Sequence, residues 1–158
     1  MLKSLKKKIL KKFCVKKPLR EVVLVFPFDT KEKKLLIMQE YIHHYKRAFW
    51  KITSGGVDKK GKDLITHARE ELAEELGLEA NNMYHLYSSE KVFGARGLHA
   101  YIAENPIKMK KPPINPDTDE VLQTKWITES EFWQMIENRE LLWNESAIMA
   151  AQVFRKFQ

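Results

Sequence analysis

The chain has 158 residues, 44% of them hydrophobic and 11% aromatic, enough for one ordinary domain with a real core and too few for two. No apolar run approaches the roughly 20 residues that cross a bilayer, and the N-terminus lacks the apolar block and small-residue cleavage site of a secretory signal, so a soluble cytoplasmic protein is expected. The only cysteine, Cys14, excludes an intrachain disulfide and a cysteine-based zinc cluster, and any metal site has to use carboxylates, histidines and carbonyls.

The formal charge of +7 suggests nucleic acid until its distribution is considered. Nine basic residues and no acid fall in the first twenty positions, which leaves nineteen basic against twenty-one acidic residues, a formal −2, for the remainder. The division is therefore a basic arm, residues 1–19, joined to a near-neutral domain, residues 20–158. Within the arm Leu2, Leu5, Ile9 and Phe13 recur at helical spacing between lysines, the pattern of a basic amphipathic helix. A solubilising arm or a helix lying on its own domain is favoured over an anionic membrane surface or nucleic acid as its role.

From Glu21 the pattern changes. EVVLVFPF and KLLIMQE are short apolar runs separated by the turn-like DTKEK, which predicts a hairpin, and FWKIT predicts another strand leading into Ser54-Gly55-Gly56. Ile65, Ala68, Leu72 and Leu76 follow steps of three and four, which predicts an amphipathic helix over 63–76 stopped by Gly77. MYHLYSSEKVF and RGLHAYIA alternate as strands do, the proline-rich KMKKPPINPDTD reads as an exposed loop, and EVLQTKWI as a further strand. Two helices close the chain: one over 129–138 behind the N-cap Thr128, and one over 145–157 with Ile148, Ala151 and Phe154 facing inward. The expected class is α/β.

The middle helix carries the chemistry. At about 100° per residue, Glu71 and Glu75 lie side by side and Glu74 one step around, bordering the apolar stripe. Three carboxylates at this spacing repel in an isolated helix. They are either an ordinary acidic face with Lys and Arg partners or a site for a hard divalent cation, and an all-oxygen, highly negative donor set suits Mg²⁺ or Mn²⁺.

The segment SGGVDKKGKDLITHAREELAEELGL resembles the Nudix box, G-x5-E-x7-R-E-U-x-E-E-x-G-U with U a bulky aliphatic residue. Gly56, Glu71, Leu72, Glu74, Glu75, Gly77 and Leu78 match, seven of nine places. The resemblance to the Nudix (MutT-like) hydrolase superfamily covers roughly residues 20–157. It implies a mixed β-sheet sandwiched between helices (α/β/α), hydrolysis of a diphosphate linkage in a nucleoside diphosphate derivative, and often a homodimer. It also implies roles: Glu74 and Glu75 as metal ligands, Glu71 as ligand or general base, and the backbone at Gly55 and Gly56 as carbonyl ligands.

Two places depart from the box. Lys62 stands where it has its first Glu, an outer or additional metal ligand, and Glu70 where it has an Arg that orients the catalytic Glu. Arg69, one residue earlier, points about 100° away and does not substitute; Lys51, Lys60 and Lys62 are candidates for the compensating charge. The copy is thus a weakened or altered enzyme, or a catalytically silent module that binds a nucleotide or protein.

WKITSGGVD looks like the branch that includes isopentenyl-diphosphate isomerase-like hydrolases, but the glycine turn holds no cysteine of the isomerase kind. The tail, DTDEVLQTKWITESEF followed by NESAIMAAQVF, is similar in layout to ADP-ribose and nucleotide-sugar pyrophosphatases. In those an acid on the loop before the last strand can serve as base, for which Asp117, Asp119 and above all Glu120 are candidates. Tyr41, Arg47, Phe49 and Trp50 precede the site and offer stacking or phosphate contacts as well as packing; Tyr41, Arg47 and Trp50 are taken forward as substrate-binding candidates. His43 and His44 have no carboxylate at ligand spacing and are expected to be exposed. ADP-ribose or a nucleotide sugar is slightly preferred as substrate, with a nucleoside triphosphate or capped RNA as the alternative.

Overall fold

A computed structural model describes residues 20–57, 61–90, 95–113, 121–142 and 144–158. The basic arm, Cys14, Lys60 and the 114–120 segment with Asp117, Asp119 and Glu120 lie outside the described residues.

The apolar run after Glu21 forms β1 (Arg20–Asp29), which turns into β2 (Lys34–Ile42). The turn is made by Asp29, whose Oδ1 accepts from the N–H groups of Lys31 and Glu32, both at 2.9 Å. The expected hairpin is present but short. Only Phe28–Leu35 and Asp29–Lys34 pair across it, after which β1 and β2 take different partners. FWKIT is consequently divided between them: β3 (Arg47–Lys51) pairs antiparallel with β2, and after Ile52 the chain crosses to β1, where β4 (Thr53–Gly56) pairs with Val22–Val25. This crossing puts the two glycines at the middle of the sheet.

The predicted middle helix is α1 (Leu64–Leu76). Asp63 caps its start by accepting from Thr66 N–H at 2.9 Å, bonds that hold its carboxyl below the ordinary carboxylate range. Gly77 ends it at φ +63°, the left-handed conformation that a side chain resists. A two-residue pair follows, β5 (Leu78–Glu79) with β8 (Ile107–Lys108), too short to show in the sequence pattern. Then β6 (Asn82–Ser89) runs antiparallel to β7 (Ala95–Glu104), and β7 lies parallel to β1. The sheet is completed by β9 (Val121–Ile127), antiparallel to β2. Its order is β3-β2-β1-β7-β6, with β4 on β1 and β9 on β2.

Strand alternation divides the core in two. Leu24, Phe26, Phe28, Ile37, Ala100 and Ile102 point to the face covered by α2 (Glu129–Glu137) and α3 (Asn144–Lys156). Val23, Val25, Leu36, Tyr101 and Ala103 point to the other face, where they meet Ala68 and Leu72 of α1. Both faces of β1 are buried, which is why its sequence reads as a nearly continuous apolar run. The result is the mixed sheet between helices expected from the sequence. Thr128 caps α2 through a capping box with Glu131.

One expectation fails on α3. Ile148 is 66% exposed and Ala151 half-buried, and the buried apolar positions are Met149, Ala150, Val153 and Phe154. Phe154 was placed correctly, but Ile148 and Phe154 are six residues apart and cannot share the centre of one face; the i, i+1, i+4, i+5 set does. Among the described residues no helix is long and apolar enough to cross a membrane.

Candidate active site

The site is assembled by β4 and α1, which the sheet crossing brings against each other. Gly55 lies directly beneath the Glu71 carboxylate, and a β-carbon at Gly55 would overlap its carboxyl atoms. Gly56, by contrast, has open space where its side chain would be. The first glycine therefore matters as a close approach of backbone to acid. One turn along the helix, Glu75 Oε2 accepts from Ser54 N–H at 3.2 Å.

Glu75 also draws in a residue from β3. Lys51, only 6% exposed, directs its ammonium at Glu40 of β2 and stands 3.9 Å from Glu75 Oε1. A buried lysine requires such partners, because desolvating an unpaired ammonium is costly. Burial pushes the Glu75 carboxyl from the ordinary 4.5 up to about 7, Lys51 opposes this, and the neighbouring charges of Glu71 and Glu40 add to it. Glu40 was missed in the sequence, since only the β2–β3 pairing, in which Glu40 faces Phe49 and Met38 faces Lys51, brings it near the helix.

The two departures from the box meet each other: the Lys62 ammonium donates to Glu70 Oε1. Arg69 is engaged elsewhere, donating to the carbonyls of Ala80 and Asn81, which agrees with the expectation that it does not replace the box arginine. Of the three candidates for compensating charge, Lys62 pairs with Glu70, Lys51 bonds Glu40 and stands beside Glu75, and Lys60 lies outside the described residues.

The substrate-binding candidates are not gathered at the carboxylates. The Trp50 side chain packs against the core cluster on the α2/α3 face, and the Trp50 backbone N–H donates to the Glu140 carbonyl at 3.0 Å. Tyr41 is partly exposed, edge-on to His43 at 5.2 Å between ring centroids. Arg47 lies over the Phe49 ring, 4.3 Å from its centroid, and with Phe49, Arg139 and Leu141 lines a cavity of about 460 Å³ at the β3 edge. Arg139 was not singled out in the sequence; it follows α2 with φ +58°, two residues before the parallel bridge of Leu141 to Trp50. His43 and His44 are exposed, as expected.

Hard oxygen donors, one of them with a raised pKa and a like-charged neighbour, are the chemistry a divalent cation matches. The donor set fits Mg²⁺ or Mn²⁺ in kind. No three acidic, histidine or cysteine side chains among the described residues converge as a metal cage; Glu71, Glu74 and Glu75 are the residues that would hold a cation, and Lys51 stands beside Glu75.

A family model of the NUDIX domain matches residues 18–151. The chain belongs to that family, and its reaction class is that of a Nudix pyrophosphohydrolase. Two solved structures are similar in fold. One, of an ADP compounds hydrolase, is 16% identical with a TM-score of 0.67 over 87% of this chain and 74% of that one. The other comes from work on MutT of the fish pathogen Aliivibrio salmonicida and of Vibrio cholerae, and is 14% identical with a TM-score of 0.64 over 87% of this chain and 98% of that one. No curated protein sequence matches the chain.

Proposed function

We propose that the protein hydrolyses the diphosphate linkage of a nucleoside diphosphate derivative, ADP-ribose or a nucleotide sugar before others, using Mg²⁺ or Mn²⁺. The observation that carries this reading is the seating of Glu71 on Gly55 and of Glu75 on Ser54 N–H, which fixes two box acids against the glycine turn. The ADP compounds hydrolase among the similar folds supports the substrate class.

In this reading Glu74 and Glu75 hold the cation, Glu71 is ligand or general base, and the carbonyls of Gly55 and Gly56 complete the set. Bound there, a divalent cation would supply charge neutralisation at the phosphates and a more acidic water. Glu71, or Glu120 from the 114–120 segment, takes the proton from the attacking water. The water oxygen bonds to phosphorus, the bridging P–O bond breaks, and the leaving phosphate carries away its electron pair, giving X–P and P–Y. Arg47 and Tyr41 are the proposed contacts to the nucleotide, with the Trp50 ring used by the core. A cytoplasmic location and a homodimer belong to the same reading, and rest on the sequence and the family.

The test is a panel of ADP-ribose, nucleotide sugars, nucleoside triphosphates and capped RNA with Mg²⁺ or Mn²⁺. Turnover is expected first on ADP-ribose or a nucleotide sugar, and Glu71→Gln and Glu74→Gln should each lower it by about 10² to 10⁴. Preference for triphosphates or capped RNA would move the substrate class towards the alternative. No turnover of any member, with no carboxylate-dependent Mn²⁺ binding, would leave a nucleotide-binding or protein-binding module.

A further inference from the structure

Lys62 and Glu70, the two positions at which the chain leaves the Nudix box, are ion-paired with each other. We infer that they are one reciprocal change, an acid and a cation that have exchanged places, and that the pair positions Glu71 in the task otherwise given to the box arginine. The inference rests on the function proposed above for Glu71.

Independent decay of two site residues gives no reason for the replacements to be complementary in charge and joined in space. Here the first position has turned from acid to cation and the second from cation to acid, so their summed charge is zero in either arrangement. The net charge beside Glu71, Glu74 and Glu75 is therefore unchanged, while the direction of the pair's dipole is reversed.

The geometry gives the pair a purpose. Lys62 precedes the N-cap Asp63, and Glu70 lies on the second turn of α1 immediately before Glu71. Their bond ties the chain entering the helix to the helix itself. Rotation of α1 about its axis decides whether the Glu71 carboxylate meets the backbone of Gly55, so a tether one residue away restrains the motion that would separate them. The other nearby cations have different work: Arg69 donates to Ala80 and Asn81 carbonyls, and Lys51 belongs with Glu40 and Glu75. Lys62 and Glu70 are 39% and 28% exposed, shielded enough to orient each other and open enough for their charges to be exchanged without burying an unpaired ion.

A charge-exchange cycle tests this. Lys62→Glu and Glu70→Arg, made singly, place like charges together, and the double variant restores the order of the box. Each single variant is expected to lower Mn²⁺ affinity and kcat on ADP-ribose by about 10-fold with KM little changed, and the double variant to return to within about twofold of the parent, a coupling that only interacting sites give. The neutral forms Lys62→Met and Glu70→Gln, with melting followed in metal-free protein, serve if a reversal fails to fold. A double variant no better than its worse parent, or single variants equal to the parent protein in both Mn²⁺ affinity and kcat, would overturn the inference. Should the parent hydrolyse none of the substrates, the hydrolase reading falls by itself, and the Mn²⁺ titration of the four proteins still decides whether the pair is coupled.

Discussion

The two faces of the sheet solve different problems. Under α2 and α3, aliphatic and aromatic side chains close on each other: Phe28 stacks on Phe157 at 4.9 Å and meets Phe154 edge-on at 5.7 Å. Under α1 the apolar cluster is smaller and ends in charge, with Lys51, Glu40, Glu75 and Glu71 gathered where the helix meets the glycine turn. The first face gains stability from burial. The second gives some of it up, holding an acid whose ionisation is disfavoured in the metal-free fold. In this chain the face under α1 is the one where apolar packing gives way to charge.

The sharpest way to break the contrast is to damage one face and read the other. Phe132 is 1% exposed between the sheet and α3. Phe132→Ala should cost about 3 to 5 kcal/mol in urea unfolding, while Mn²⁺ affinity of the remaining folded protein stays near its parent value.

On the other face the sign of the pH dependence is the signature. Glu75 is raised from 4.5 to about 7, so between those values the folded protein binds a proton that the unfolded chain has released. Stability contributed by the protonated group is complete below pH 4.5 and is lost as pH rises towards 7, by at most about 3 kcal/mol at about 1.36 kcal/mol per unit. Glu75→Gln should flatten this slope. Mn²⁺ should bind more tightly as pH passes 7, because the ligand has to lose its proton. Urea melts at several pH values with and without Mn²⁺ measure both effects.

Next in size is the distinction between the paired glycines. Gly55→Ala drives a methyl group into the Glu71 carboxylate and is expected to lower kcat/KM by on the order of 10²-fold, with little change in melting temperature. Gly56→Ala enters open space and should stay within about twofold. Equal losses at the two glycines would remove the assigned role of the Gly55–Glu71 contact. The smallest effect is expected from deleting residues 1–18. Turnover of ADP-ribose and its salt dependence should not change, and a flattened salt dependence on capped RNA alone would give the arm a nucleic-acid role.

Much of this was legible in one dimension. The stop at Gly77, the stripe of Ala68 and Leu72 and the box acids all depend on spacing along a single helix, where neighbours in space are three and four residues apart. The same logic failed at Ile148, where two registers of a short amphipathic helix were nearly equivalent and the packing surface chose between them. It also could not find Glu40, which is far from Glu75 in sequence, or the division of FWKIT between β2 and β1, which follows from where the hairpin strands part.

The sequence by itself determined the family, the class of the sheet and the acids on α1, because local periodicity and a spaced motif carry those. Tertiary structure decided what surrounds the acids. It brought Lys51 from β3 under Glu75, laid Gly55 against Glu71 and closed Lys62 on Glu70, since each of these contacts depends on the crossing from β3 to β4 or on the turn that enters α1. A charge has a meaning only with its partner, and partners are chosen in three dimensions.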